Sequence, residues 1–327
     1  MQSRALKVLA CPECFLPFAE VTHASGAHDR GILRCGQGHE FEVAGGVPML
    51  VRESDRPRLR AFADSYGLAW AKDGWGSPDI TYLASLPFRD VTRRRTIEWK
   101  LKARSMVALL GALDPHERPC VFDLGCGNGW LSHQLAIRGH DVYALDVALD
   151  DVVGLGAAGA YVRLGPPFQR VWADLERLPI QSSSTDAVVC NASLHYVHDI
   201  RAALQNIARV LRSGGLLAIL NSPVHSSQTS AARAQADFRA RLRGLGASHE
   251  VVSTYRHFVR SELISDVFAA VGPVEEVRFG SGLRFRWSRR LKSLALQMEL
   301  ASFPILIATK RQESAPRAVS PGASLKI

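Results

Sequence analysis

From residue 119 to residue 220 the chain alternates short apolar runs with helix-patterned stretches, a rhythm that few folds can absorb. The runs CVFDL (120–124), DVYAL (141–145), RVWA (170–173), AVVC (187–190) and LLAIL (216–220) are too short for helices and read as buried strands. Between them lie a helix over 130–138, a Gly/Ala-rich helix from about residue 150, and a helix over 200–211. The last carries Ile200, Ala203, Leu204, Ile207, Val210 and Leu211 on one face and is expected to end at Gly214-Gly215. Strands and helices that alternate in this way form a parallel sheet through right-handed crossovers, with the helices covering it. Two further strands are expected over 274–279 and 303–309.

The flanking segments differ in character. Residues 1–52 combine Cys, His and Gly with strand-like pieces at 31–34 and 40–43, and read as a small module. The charged, Pro-containing run 52–58 reads as a linker. Residues 58–111 are mostly helix-patterned and are broken near Gly74, Gly76 and Pro78. The clearest helix covers 93–110, with Ile97, Leu101, Met106, Leu109 and Leu110 on its apolar side. An α/β domain is expected over 112–310, followed by a Ser/Pro/Ala/Gly-rich tail over 311–327 that reads as disordered. Hydrophobic residues make up 47% of the 327 residues, enough for a substantial core. No run approaches the roughly 20 apolar residues of a membrane span. Residues 1–10 lack a cleavage site, so a cytoplasmic protein is expected, with no integral membrane segment. The net charge of +9 is compatible with an anionic partner. Only seven of the 40 basic residues are Lys, however, and an Arg bias can follow from genome base composition, so charge alone selects no partner.

The stretch Asp123-Leu-Gly125-Cys126-Gly127-Asn128-Gly129 joins the strand at 120–124 to the helix from 130. It lies at the carboxyl end of a strand, where open α/β sheets bind ligands. Bare glycines let a ligand rest against the backbone. A dinucleotide fingerprint would place its third glycine at position 130, which is Trp130, so the spacing argues against a pyrophosphate. A sulfonium nucleoside with a charged amino-acid end, S-adenosylmethionine (SAM), suits the acid better, with Asp123 answering its ammonium. Asp146 ends the next strand and can accept both ribose hydroxyls. Asp174 can accept the adenine amino group, and the Leu175 backbone meets the ring edge. Asn191 ends the fourth strand and faces the same crevice.

Taken in order, VFDLGCGNG, the acid of YALDV, ADLERLP, DAVVCNASLHYV and VLRSGG resemble the class I SAM-dependent methyltransferases over roughly residues 119–221. The resemblance implies a seven-stranded Rossmann-like sheet of order 3-2-1-4-5-7-6 with an antiparallel seventh strand, for which 303–309 is the candidate. The basic stretch 98–104 upstream can cover the cofactor, with a Lys or Arg on its carboxylate.

Cys11-Pro-Glu-Cys14 and Cys35-Gly-Gln-Gly-His39 have the spacing of two metal-binding turns. Cys11, Cys14, Cys35 and His39 complete a Cys₃His set with no open position, so a structural zinc is expected. The other three cysteines stand singly. This layout resembles the zinc-ribbon region of bacterial large-subunit ribosomal RNA guanine-N1 methyltransferases. It also resembles the zinc-ribbon activator of tRNA and release-factor methyltransferases.

The acceptor side falls to Asn191-Ala-Ser-Leu-His195-Tyr196-Val-His198, which lacks the Asn-Pro-Pro-Tyr signature of many exocyclic-amine methyltransferases. It looks instead like enzymes that methylate quinones, lipids and other small molecules. His195 is the candidate general base, since a neutral imidazole takes a proton near pH 7. His198, Tyr196 and His225 stand behind it. The run 284–292 interleaves Arg with Phe and Trp, a pattern that suits RNA phosphates and bases or an anionic membrane. A small-molecule or lipid methyltransferase is the favoured expectation. An RNA methyltransferase and a non-enzymatic SAM-fold binding protein are the alternatives. No oligomeric state follows from the sequence.

Overall fold

The computed structural model describes residues 3–23, 29–113, 119–277 and 299–312. The basic run 284–292 and the expected tail beyond residue 312 lie outside these residues. Four strands come first: β1 (Phe18–His23), β2 (Gly31–Cys35), β3 (Glu40–Ala44) and β4 (Val47–Leu50). Helices α1 (Arg56–Lys72), α2 (Ile80–Ser85) and α3 (Thr96–Ala112) follow. The α/β alternation then runs β5 (Cys120–Leu124), α4 (Trp130–Ala136), β6 (Asp141–Asp146), α5 (Leu155–Leu164), β7 (Gln169–Ala173), β8 (Thr185–Asn191), α6 (Ile200–Val210) and β9 (Leu211–Leu220). The remainder comprises β10 (Val224–His225), α7 (Gln228–Gly244), α8 (His249–Thr254), β11 (Phe258–Val259), α9 (Arg260–Ala270), β12 (Val274–Val277) and β13 (Ile305–Thr309).

Among the described residues, eleven strands form one sheet in the order β1-β2-β3-β4-β7-β6-β5-β8-β9-β13-β12. This corrects the expected sheet of seven strands. The N-terminal strands do not stand apart: β4 pairs in parallel with β7, Met49 opposite Trp172 and Leu50 opposite Ala173, and so carries β1–β3 onto the same edge. The strands β7, β6, β5, β8 and β9 are parallel, and β13 runs antiparallel to β9. Side chains that alternate along β5 and β8 feed two cores, one on each face. Phe122, Val188 and Cys190 enter the first with Leu204 and Ile207 of α6; Val121 and Val189 enter the second with Trp130, Leu131 and Met106. Burial of this kind, worth about 25 cal/mol per Å² of apolar surface, holds both helical layers to the sheet.

Two local expectations need correction. The helix over 200–211 does not reach Gly214-Gly215. It stops at Val210, because Leu211 is already extended (φ −65°, ψ 137°) and pairs with Thr185. In α3, Ile97 is 68% exposed, whereas Trp99 is buried. Trp99 takes the inner face because Trp75, Tyr82 and Trp130 surround it, with ring centroids 5.8, 6.3 and 5.7 Å away. No helix of the described residues is long and apolar enough to cross a membrane.

Candidate active site

Two cavities meet over the carboxyl ends of the parallel strands. The larger, about 330 Å³, is lined by Gly125, Cys126, Gly127 and Asn128, by Asn191 and His195, and by Lys102 and an aromatic set. The smaller, about 80 Å³, is lined by Asp146, Asp174 and Leu175, with Arg58, Tyr196 and His198. Gly125, Tyr66 and Ala192 line both.

The bend between β5 and α4 is why the cavities exist. Gly125 has φ +70°, in the left-handed region, and a Cβ there would stand 2.3 Å from Cβ of Ser193. The chain is therefore bare where the two spaces join. Gly129, at φ +78°, does not line either cavity; its missing Cβ lets the start of α4 pack on Ala158 of α5. Asp146 holds the bend in place: its Oδ2 accepts from the Gly127 N–H (2.7 Å) and its Oδ1 from the Ala148 N–H (2.8 Å). Burial pushes this carboxyl up to about 6, with those two donors opposing the rise. Asp174 accepts from the Glu176 N–H (2.9 Å), lies 3.6 Å from Arg58, and is raised by burial.

Asp123 sits elsewhere than expected. It lines neither cavity and lies under the bend, where Oδ2 accepts from the Ser132 hydroxyl (2.7 Å) and Oδ1 is buried without a partner among the described residues. Burial raises it to about 7. The charge of Lys102 of α3 acts on it; Lys102 lies over the Trp75 and Trp99 rings at 5.3 and 5.7 Å and is drawn down to about 8 by burial. Lys102 is the residue of the stretch 98–104 that enters the larger cavity as a cation. Arg95 also lines it but is tied to Asp73 of the same wall, as is Arg241 of α7.

Asn191 accepts from Asn221 Nδ2 (2.8 Å), and Asn221 in turn accepts from Ser105 (2.9 Å), so the mouth of β8 is fixed to β9 and α3. His195 is buried in the larger cavity beside Tyr196 and Tyr255, with Nδ1 3.4 Å from Ser222 Oγ. Burial, with His257 and Lys102 nearby, lowers it to about 3, so its ring stays neutral and holds a transferred proton poorly. His198 is half-exposed and pairs with Glu176, and His225 lines neither cavity. The aromatic wall was not foreseen. Tyr66 and Trp70 of α1, Trp75, Trp99 of α3, Phe238 of α7 and Tyr255 line the larger cavity together. Their one sequence signal is the aromatic density of 66–75, which fixes no position in space.

Cys11, Cys14, Cys35 and His39 come together with their ligand atoms within 4.8 Å of one another. The Cys14–Cys35 sulfurs are 3.7 Å apart, and His39 Nδ1 lies 3.6 Å from Cys11 Sγ and 3.4 Å from Cys35 Sγ. A tetrahedron with metal–sulfur bonds of about 2.3 Å has edges of about 3.8 Å, so this donor set fits a four-coordinate ion. The cluster abuts the cofactor-side loop: Arg177 donates to the carbonyls of Pro12 (2.5 Å) and Glu13 (2.8 Å), three residues after Asp174.

An open sheet with a parallel core, a bare bend and two carboxylates over its strand ends defines a nucleoside-binding Rossmann-like class. Residues 122–219 match a family model described as a methyltransferase domain. The chain is 36% identical over 113 residues to an uncharacterized methyltransferase of Mycobacterium tuberculosis, covering 35% of this chain and 55% of that protein. It is 33% identical over 122 residues to a malonyl-acyl-carrier-protein O-methyltransferase of Enterobacter lignolyticus (36% and 45%). It is 31% identical over 176 residues to a ubiquinone biosynthesis O-methyltransferase of Xanthomonas oryzae (53% and 69%). The chain spans about half the length of the first two of these relatives. It belongs to the class I SAM-dependent methyltransferases. The residues present fit that cofactor: the bend is bare where the cavities join, and Asp146 and Asp174 line the smaller one beside Leu175.

Proposed function

We propose that this protein transfers a methyl group from SAM to a hydroxyl oxygen of a small, apolar, ring-containing or lipid-like acceptor. The nucleoside would lie in the smaller cavity, its ribose hydroxyls on Asp146 and its adenine against Asp174 and Leu175. Its amino-acid end would turn past Gly125 toward Asn128 and Lys102, with Asp123 acting on its ammonium from beneath the bend. Bound there, SAM supplies an electrophilic methyl on a sulfonium; the chain's task is to hold the acceptor in line and to remove its proton. His195, neutral and buried, would orient the acceptor by donating its Nε2–H to the acceptor oxygen, which leaves that oxygen's own proton free to be removed. The Cys₃His cluster would hold a structural zinc that braces the loop carrying Asp174.

The observation that carries the acceptor class is the wall of the larger cavity. Tyr66, Trp70, Trp75, Trp99 and Tyr255 offer apolar area for a ring or an aliphatic tail. A phosphate track would favour unpaired arginines, whereas Arg95 and Arg241 both pair with Asp73, and Arg95 with Glu98 as well. The names of two relatives include O-methyltransferase, which supports oxygen as the methylated atom. The test is transfer of labelled methyl from SAM by the purified chain into separated small-molecule, lipid and RNA fractions of a cell extract. Label is expected in the first two. Label in RNA alone overturns the proposal.

A further inference from the structure

We propose that Tyr255, His257, His225 and Glu299 form a proton exit from the acceptor cavity to the surface. The inference rests on the hydroxyl acceptor proposed above, and its parts come together through the small sheet that β10 and β11 make. Val224 pairs with Phe258 and His225 with Val259, which sets His225 beside His257 just before β11. The two imidazoles stack with centroids 5.0 Å apart, and His225 Nε2 lies 2.8 Å from His257 Nδ1. On the inner side, His257 Nε2 lies 3.0 Å from the Tyr255 hydroxyl, and Tyr255 lines the larger cavity next to His195. On the outer side, His225 Nδ1 is buried without a hydrogen-bond partner among the described residues and lies 4.0 Å from Glu299 Oε2. Glu299 is 34% exposed and is fixed by the Ser226 N–H and hydroxyl, each at 2.9 Å.

One set of tautomers satisfies every contact, with all donors pointing outward. Tyr255 donates to His257 Nε2, the His257 Nδ1–H to His225 Nε2, and the His225 Nδ1–H faces Glu299. This requires both rings to be neutral. Burial lowers both, and burial together with His225 takes His257 to about 4. Methyl transfer leaves one proton to be removed from the acceptor oxygen. That proton passes to Tyr255 Oη as the tyrosine's own moves to His257 Nε2. The His257 Nδ1 proton moves to His225 Nε2, and the His225 Nδ1 proton leaves to Glu299, directly or through one water, and on to solvent. Each ring gains one proton and loses one, and nothing is oxidised. Tyr255 is the catalytic residue of the set; the other three act through it.

The test has two arms. In ¹⁵N-histidine NMR of the full chain, His257 and His225 should both be neutral and carry their proton on Nδ1, and Tyr255→Phe should move the His257 Nε2 resonance. A charged ring, or an Nε2–H tautomer on either, overturns the relay. In kinetics with SAM, 4-nitrophenol and 4-methylphenol serve as probes at a pH where only the first is ionised. His257→Phe should lose roughly 100-fold more kcat/KM on 4-methylphenol than on 4-nitrophenol. Glu299→Gln, which keeps the size of the side chain and one acceptor for Ser226, should show the same preference to a smaller degree. Equal losses on both phenols overturn the relay. If the wild type binds SAM calorimetrically but methylates neither phenol, these probes do not occupy the acceptor cavity productively, and the NMR arm alone decides the relay.

Discussion

Replacing Gly125 with Ala tests whether the bare bend is what makes the site. Gly125 sits at φ +70°, a conformation that costs an L-residue about 1–2 kcal/mol. The added methyl would also lie 2.3 Å from Ser193 Cβ and 3.1 Å from its hydroxyl. Ser193 cannot easily withdraw, because it is buried and its Oγ donates to the Leu124 carbonyl at 2.5 Å. Relieving such overpacking costs about 1–3 kcal/mol, so Gly125→Ala should destabilise the fold by roughly 2–5 kcal/mol in all. Urea unfolding should show this as a lower midpoint with an unchanged slope. Ser193→Gly removes the overlapping atoms and separates the two contributions. In that background Gly125→Ala should cost only the conformational part, about 1–2 kcal/mol, and the double-mutant cycle should return the difference as coupling. SAM affinity should fall in both Ala proteins, since the strained bend lines both cavities. A cost below about 1 kcal/mol with Ser193 present, or equal costs in both backgrounds, would refute the reasoning.

Three further outcomes follow from the geometry. SAM affinity should fall as the pH rises above about 8, where Lys102 loses its charge, and as it drops through about 7 and then about 6, the values burial gives Asp123 and Asp146 in the free protein. For Asp146 the sign follows because ribose hydroxyls need the ionised carboxylate, so binding below that last value must release its proton. Asp146→Asn should remove the step near pH 6 alone, and calorimetry in two buffers of different ionisation enthalpy reads it; a wild-type profile without that step removes Asp146 from the ribose. Asp146→Ala should weaken SAM by more than about ten-fold, since it strips the Gly127 and Ala148 N–H groups of their acceptor, at about 1–3 kcal/mol each. Purified protein should contain one zinc per chain by metal analysis. Chelation or Cys35→Ser should lower both Tm and SAM affinity, because Arg177 joins the Cys11–Cys14 turn to the Asp174 loop; a metal-free protein of undiminished stability would exclude the ion.

What the sequence discloses here is governed by the range over which each interaction acts. The strands and helices between 119 and 220 are local, since their periodicity and capping are written in a few consecutive residues. The Asp199 side chain that starts α6 is one case, accepting from the N–H groups of Arg201 and Ala202. The bend and the carboxylates Asp146 and Asp174 were legible for the same reason, as they sit at strand ends a fixed distance along the chain. Asp123 was legible as a residue but not as a position. Its side chain turns under the bend to Ser132, a choice set by which face of β5 it occupies rather than by the loop it precedes. The end of α6 was misread because Gly214-Gly215 is a strong local stop, whereas the pairing of Leu211 with Thr185, a tertiary contact, acts three residues sooner.

The acceptor side was the least legible because no single segment contains it. Its wall takes Tyr66 and Trp70 from α1, Trp99 from α3, Phe238 from α7 and Tyr255 from the turn after α8, so its parts span nearly 190 residues of chain. The sequence could single out His195 as a base only from its place after the fourth strand. Its burial, which leaves it a neutral and weak proton acceptor, depends on Tyr196 and Tyr255 closing over it. A group that must take a proton needs somewhere to send it. Among the described residues His195 has only the Ser222 hydroxyl at 3.4 Å, whereas Tyr255 opens onto two further imidazoles and a partly exposed carboxylate. Proton removal is therefore assigned to the tyrosine and orientation to His195. Accordingly, His195→Ala should raise KM for the acceptor more than it lowers kcat, while Tyr255→Phe should do the reverse.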